Sequence, residues 1–173
     1  MGKGFVLGLV AAILALVAAS YFLVTGGALP AGQDSKPGNL EKWAAKKSLQ
    51  ATMRREAQGL KSPLQPTDEN LTAGIALYRF HCQVCHGGAA GGVSAIAKGL
   101  TPDPPQLAKH GVEDDPEGEI YWKVAHGIRF TGMPAFGETL SGSEMWQIAL
   151  FAKHMDSLPP GARSAWLAEK AAP

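Results

Sequence analysis

Cys82-Gln83-Val84-Cys85-His86 constrains this chain more than any other stretch. These are the only two cysteines in 173 residues. A disulfide scaffold and a four-cysteine zinc site are both excluded by that count. A zinc site of another kind would need two more ligands at matching spacing. A thioredoxin-like redox pair would need a βαβ context, and the sequence offers neither. What remains is C-x-x-C-H, the pattern by which a c-type haem is attached. Each part has a physical task. Two thiols add to the two vinyl groups of haem, a short helical turn sets the sulfurs apart correctly, and the following histidine is held beneath the iron.

Between Thr67 and Pro160 three helices are expected and no convincing strand. The first has Asn70 as N-cap and runs through Leu71–His81. The second opens at Asp115-Pro116, cap then proline at the first helical position, and stops at Gly127. Glu117 and Glu119 suit the positive end of its dipole. The third starts with a capping box, Ser141 with Glu144, and a hydrophobic staple, Leu140 against Met145. Its apolar residues Met145, Ile148, Phe151, Ala152 and Met155 keep helical spacing until Pro159-Pro160. Segments rich in the chain's 21 glycines and 12 prolines separate these helices, so regular structure is too scarce for a large core. A large flat apolar cofactor, wrapped by helices and loops, supplies the missing centre.

Phe5–Val24 is a run of twenty residues without charge. As a helix it is roughly 30 Å long, the thickness of a bilayer's hydrocarbon core. A cleaved signal peptide, with Gly26-Gly27-Ala28 as its cleavage site, is the rival reading. Its apolar stretch is usually only about 7–15 residues, which favours a retained anchor. Either way the remainder is exported, as covalent haem attachment in bacteria requires. Residues 26–66 then read as a flexible basic tether, with glycines and prolines at both ends. Leu40–Leu60 has helical character, but Trp43, Leu49 and Met53 make too thin a stripe to fold alone. That segment needs a membrane surface or a partner, or stays mobile. Gln33–Pro66 carries seven basic against three acidic residues, a net of +4, and Thr67–Pro160 six against eleven, a net of −5. Two solvated surfaces explain this split, and so does a basic tether lying on anionic lipid headgroups. The net charge of +1 and the absence of long basic blocks argue against a nucleic-acid partner.

Residues 67–160 resemble class I cytochrome c domains, a likeness covering a little over half of the chain. It is carried by the C-x-x-C-H motif and by Gly74 and Tyr78, eight and four residues before Cys82. The resemblance implies an all-α fold, three or more helices and long loops around one covalent haem c, preceded here by a transmembrane helix. It implies that the first and last helices cross closely at Gly74, with Leu150 or Phe151 opposite. A motif near the start of the domain argues against the four-helix cytochrome c′ arrangement. Thr131-Gly132-Met133-Pro134 is similar to the family's distal loop, so the resemblance gives His86 and Met133 as the two iron ligands. His110, His126 and His154 are the alternatives to Met133, while Met145 and Met155 fit core packing. His81, directly before Cys82, is expected to point away from the iron. Pro105-Gln106-Leu107 looks like the family's Pro-x-Leu stretch, whose proline carbonyl accepts the ligand histidine's Nδ1–H. Pro104 is the near alternative to Pro105. Trp122 and Arg129 are candidates for the haem propionates, with core and surface roles as their other reading. The expected organisation is an anchor or uncleaved signal (1–25), the tether (26–66), a cytochrome c domain (67–160) and a C-terminal tail (161–173).

Iron held by both His86 and Met133 has no open position, which leaves one-electron transfer. The expectation is a single-pass protein of the bacterial cytoplasmic membrane with its monohaem domain on the periplasmic side. It would carry electrons from a dehydrogenase or quinol-oxidising complex to a terminal oxidase or reductase. Its partners are then redox proteins and the membrane, with no small-molecule substrate and no catalysis of its own. A fixed subunit of a larger membrane oxidoreductase complex is the alternative, and a haem enzyme or gas sensor with a labile Met133 bond a further one.

Overall fold

In the computed structural model, which describes residues 2–29, 31–109 and 111–168, every regular element among those residues is an α-helix. The chain divides into two units, one ending at Ser35 and the other beginning at Lys36. The first unit holds α1 (Gly2–Thr25), which buries no side chain and is long and apolar enough to cross a membrane. The second holds α2 (Asn39–Glu56), α3 (Asp68–His81), α4 (Gln83–His86), α5 (Ala95–Lys98), α6 (Glu117–His126), α7 (Gly142–Lys153) and α8 (Pro160–Leu167).

Local chemistry sets where these helices begin. Thr67, not Asn70, caps α3, its hydroxyl accepting from the Asn70 N–H at 3.3 Å. Asp68 and Glu69 then occupy the first turn, where the helix dipole favours them. Asn70, one turn in, donates to the Gln65 carbonyl and accepts from Gln147 of α7. The start of α6 shifts in the same way. The Asp115 carboxylate is engaged by Lys123 at 2.6 Å, so the helix opens at Glu117 with Pro116 in the cap position and no side-chain cap. It ends at Gly127, whose φ of 64° suits glycine. The capping box of α7 forms as expected, with Ser141 Oγ accepting from the Glu144 N–H and the Glu144 carboxylate accepting from the Ser141 N–H at 2.8 Å. Those bonds, backbone first and hydroxyl second, hold the Glu144 carboxyl below the usual carboxylate range.

The core lies where α3 crosses α7. A Cβ built on Gly74 would collide with the Gln147 carbonyl and come within 2.9 Å of the Phe151 Cβ, so only glycine permits this approach. Around the crossing Leu71, Ile75, Tyr78, Leu150, Phe151 and Met155 are buried. The Tyr78 ring stands edge-on to Phe151 at 5.2 Å and to Trp166 at 5.7 Å. Trp166 comes from α8, in the stretch expected to be a tail. Helix α7 already ends at Lys153, short of Pro159-Pro160, and a proline at the first helical position starts a helix well. Asp68 accepts from the Ala162 N–H at 2.6 Å, and Arg79 donates to the Ala165 and Trp166 carbonyls, fastening both ends of α8 to α3. The last part of that expected tail, residues 169–173, falls outside the described residues.

The expected tether is also shorter than residues 26–66. Its helix forms, ends at Glu56 and finds its partner in α6: Met53 and Ala57 are buried against Trp122, with Leu49 beside them. Trp122 Nε1–H donates to the Glu56 carboxylate at 3.1 Å, and the Ser62 N–H donates to Glu117 at 2.8 Å. A stripe too thin to fold alone is thus sufficient once a neighbouring helix covers it. Across the other side of α6, Tyr121 stacks on Trp146 of α7 at 4.1 Å.

Gly74→Val should overpack the crossing and lower the unfolding free energy by about 1–3 kcal/mol, as overfilled cores do. A shifted denaturant midpoint with an unchanged slope is the expected reading.

Candidate metal and cofactor site

The C-x-x-C-H segment is the corner between α3 and α4. Cys82 closes α3, its N–H donating to the Tyr78 carbonyl at 2.8 Å, and its own carbonyl accepts from Cys85 at 3.1 Å and His86 at 2.9 Å. These bonds make the tight turn that five consecutive residues need if two thiols and an imidazole are to share one face. Both cysteines are free and half-buried. Burial, and secondarily the neighbouring Cys85, pushes the Cys82 thiol up to about 12, so it stays protonated at neutral pH. The corner is anchored from the core: Tyr78 Oη donates to the Gly87 carbonyl at 2.8 Å.

His86 Nδ1 lies 2.9 Å from the Pro105 carbonyl. A carbonyl only accepts, so Nδ1 carries the proton and Nε2 keeps its lone pair. Burial lowers the imidazole's pKa and the Pro105 bond partly offsets that, leaving it neutral at physiological pH. A neutral ring with Nδ1–H on a backbone carbonyl is the form a metal-ligating histidine takes. Pro105, rather than Pro104, is the acceptor. Pro104 is used by Gln106, whose Nε2 donates to its carbonyl at 3.3 Å and to the Cys85 carbonyl at 3.0 Å. Gln106 therefore staples the proline stretch to the cysteine turn, and Leu107 N–H adds a bond to the His86 carbonyl at 3.1 Å. Sequence reasoning passed over Gln106, although its place between Pro105 and Leu107 was in view. Ser94, the cap of α5, was missed too, and its hydroxyl donates to the Val84 carbonyl.

Met133 sits in the loop after α6, half-buried against Val124, Ala125, Met145 and Ile148. Cys82 packs against the same cluster, so the fold brings the expected sulfur ligand and the C-x-x-C-H corner to one apolar wall. The loop is pinned rather than loose. Thr131 Oγ1 accepts from the Met133 N–H at 3.1 Å, Ile128 N–H donates to the Met133 carbonyl, and Phe136 and Gly137 bond back to Val124 and Ala125 of α6. A Cβ at Gly127 would press on three backbone atoms of Met133–Ala135, each 2.7 Å away, which fixes glycine there. His81, beside Cys82, packs on Phe80 and on Phe136 of this loop.

The remaining candidates lie elsewhere. Trp122 is buried with its donor committed to Glu56 of α2, so it is a helix-packing residue and its indole is not offered to a propionate. Arg129 is exposed, its guanidinium 5.8 Å over the Phe130 ring. His126 is exposed beside the Trp122 ring, and His154 Nδ1 bonds to the Leu150 carbonyl at the end of α7. Met145 and Met155 are buried, as core residues should be. His110 falls outside the described residues.

Two reduced thiols on one turn, a neutral imidazole with only Nε2 free, and a thioether on the same apolar wall fit a haem. Residues 69–151 match the family model described as cytochrome C oxidase, cbb3-type, subunit III. Among solved structures the chain is similar to one chain of the reducing HAO-like protein complex of Kuenenia stuttgartiensis. That match has 24% identity and a TM-score of 0.45, and covers 54% of this chain and 46% of the other. No curated protein matches.

Gln106→Leu keeps the side chain's bulk and removes the donor shared by Cys85 and Pro104. A loss of about 1–2 kcal/mol in denaturant unfolding is expected, the scale of one well-placed hydrogen bond.

Proposed function

We propose that this chain, whose residues 69–151 match that family model, is a membrane-tethered monohaem electron carrier in which Cys82 and Cys85 would be the attachment thiols and His86 and Met133 would hold the iron. The observation that carries it is the Nδ1–H of His86 on the Pro105 carbonyl, 2.9 Å apart, which leaves Nε2 as the ring's one available donor atom. Bound there, haem supplies reversible one-electron chemistry at iron. Everything else falls to the protein. Cys82 and Cys85 hold the macrocycle covalently. Pro105 keeps the imidazole in one tautomer and one orientation, and makes it a stronger donor. The pinned loop Thr131–Gly137 presents Met133, whose thioether favours the reduced metal, and the apolar wall behind it limits water. Two protein ligands leave no coordination site for a substrate, so the chemistry is transfer and not turnover.

On this reading α1 anchors the protein in the bacterial cytoplasmic membrane and the haem domain works on the periplasmic side. There it relays electrons from a dehydrogenase or quinol-oxidising complex to a terminal oxidase or reductase. The matched family's description names an oxidase subunit, which favours a second reading: a fixed subunit of a larger membrane oxidoreductase complex. Solubilisation in mild detergent separates the two. A carrier leaves the column alone, whereas a fixed subunit elutes with its complex in constant ratio.

Met133→His should lower the midpoint potential by roughly a few hundred millivolts and abolish the near-infrared sulfur-to-iron charge-transfer band of the ferric protein. Met145→Ala should keep the band and cost about 2–5 kcal/mol of stability, because that sulfur only fills the core. A band that survives the first change and disappears with the second would assign the wrong methionine. The anchor is tested by carbonate washing: the native protein should stay with the membranes, and a version lacking residues 1–32 behind a cleavable signal should be soluble. A native N-terminus just after Ala28 would reverse that reading.

A further inference from the structure

Helix α2 does more than dock on α6. Its contacts come from the C-terminal half: Met53 and Ala57 are buried and Leu49 is partly covered, whereas every residue from Asn39 to Ser48 is exposed. About ten residues of ordered helix therefore run past the neighbour that holds them. A second stripe lies beside the docked one. At 100° per residue, Leu40, Trp43, Lys47 and Arg54 fall within a sector of about 60°. Ala44 and Ala51 border it. Leu40 is 77% and Trp43 60% exposed. Both charges on the stripe are positive, and Lys47 and Arg54 make no ion pair among the described residues. Glu41 and Glu56, the acidic residues of α2, project from other sides of the helix.

We infer that this stripe lies on an anionic lipid surface, which makes α2 a strut between the membrane and the haem domain. The inference rests on the reading of α1 as the anchor. Three features choose lipid as the occupant. An indole and a leucine next to lysine and arginine is the composition of a headgroup-level contact, with the ring at the interface and the cations on the phosphates. The stripe holds no acid that such a surface would repel. Only residues 26–38 separate α1 from α2, and a fully extended chain of that length reaches about 45 Å, so α2 is never far from whatever surface α1 enters. The acidic balance of Thr67–Pro160 acts in the same direction, because it turns the rest of the domain away from the lipid that attracts α2.

The full-length, haem-loaded protein in nanodiscs provides the test, with backbone hydrogen exchange read over residues 40–54. In discs containing phosphatidylglycerol, exchange over residues 40–47 should slow at least about fivefold relative to pure phosphatidylcholine, the factor one basic residue at an anionic surface contributes. High salt should remove the difference. Lys47→Glu with Arg54→Glu should abolish it and Trp43→Ser should weaken it, all three with an unchanged haem spectrum because these side chains are exposed. Equal exchange in both discs overturns the inference, as does slowing that survives the double charge reversal. Slowing seen only in native membrane vesicles assigns the stripe to a protein partner and overturns it too. Incorporation into neutral discs reads α1 separately. If incorporation fails, the same comparison with phosphatidylglycerol vesicles still decides the role of α2.

Discussion

The close crossing of α3 and α7 at Gly74 is the constraint on which the rest depends. It lets Tyr78 stand between Phe151 and Trp166, and so fixes a side chain that runs from the core to the cysteine corner. The Tyr78 hydroxyl on the Gly87 carbonyl then stops the chain just past His86. A looser crossing would leave the corner without that hydrogen bond from the core. Packing at one end of the helix pair thereby becomes angular precision at the other.

Around that corner the site is built from backbone carbonyls more than from side chains. The carbonyls of Cys82, Val84, Cys85, His86, Gly87, Pro104 and Pro105 all accept hydrogen bonds from neighbours that hold them in place. Such a frame suits a redox centre. It holds its position without introducing a charge that would have to be re-solvated when an electron arrives, and a low-dielectric surrounding magnifies any charge left there.

What was legible in the sequence was local. The C-x-x-C-H corner, the Ser141 capping box and the stop at Gly127 are each specified within a few residues, and the structure has them where the pattern put them. The partner of Gly74 came from the resemblance to class I cytochrome c domains, which implied Leu150 or Phe151, and Phe151 is there beside the Gln147 carbonyl. Most of the misreadings involved distant residues. Thr67 and Asn70 are both good caps, and the tie was decided by Gln147, seventy-seven positions away, which takes up the Asn70 amide oxygen. Two prolines read as an end because nothing nearby showed that Asp68 and Arg79 would fasten the helix beyond them. Trp122 looked available for a ligand until Glu56, from a segment expected to be mobile, took its indole. Sparse apolar patterns are weak evidence against folding when the missing half of the stripe lies on another helix.

The dependence of the core on α8 has a consequence for the order of events. Trp166 lies eighty residues after His86, so the chain presents its two thiols long before it is long enough to close the core around them. In the open chain Cys82 has ordinary thiol acidity. Once Tyr78 is clamped and the corner is buried, the same thiol sits near pKa 12 and is a poor nucleophile. The apolar packing against this cysteine is thus completed by chain that follows it by more than eighty residues.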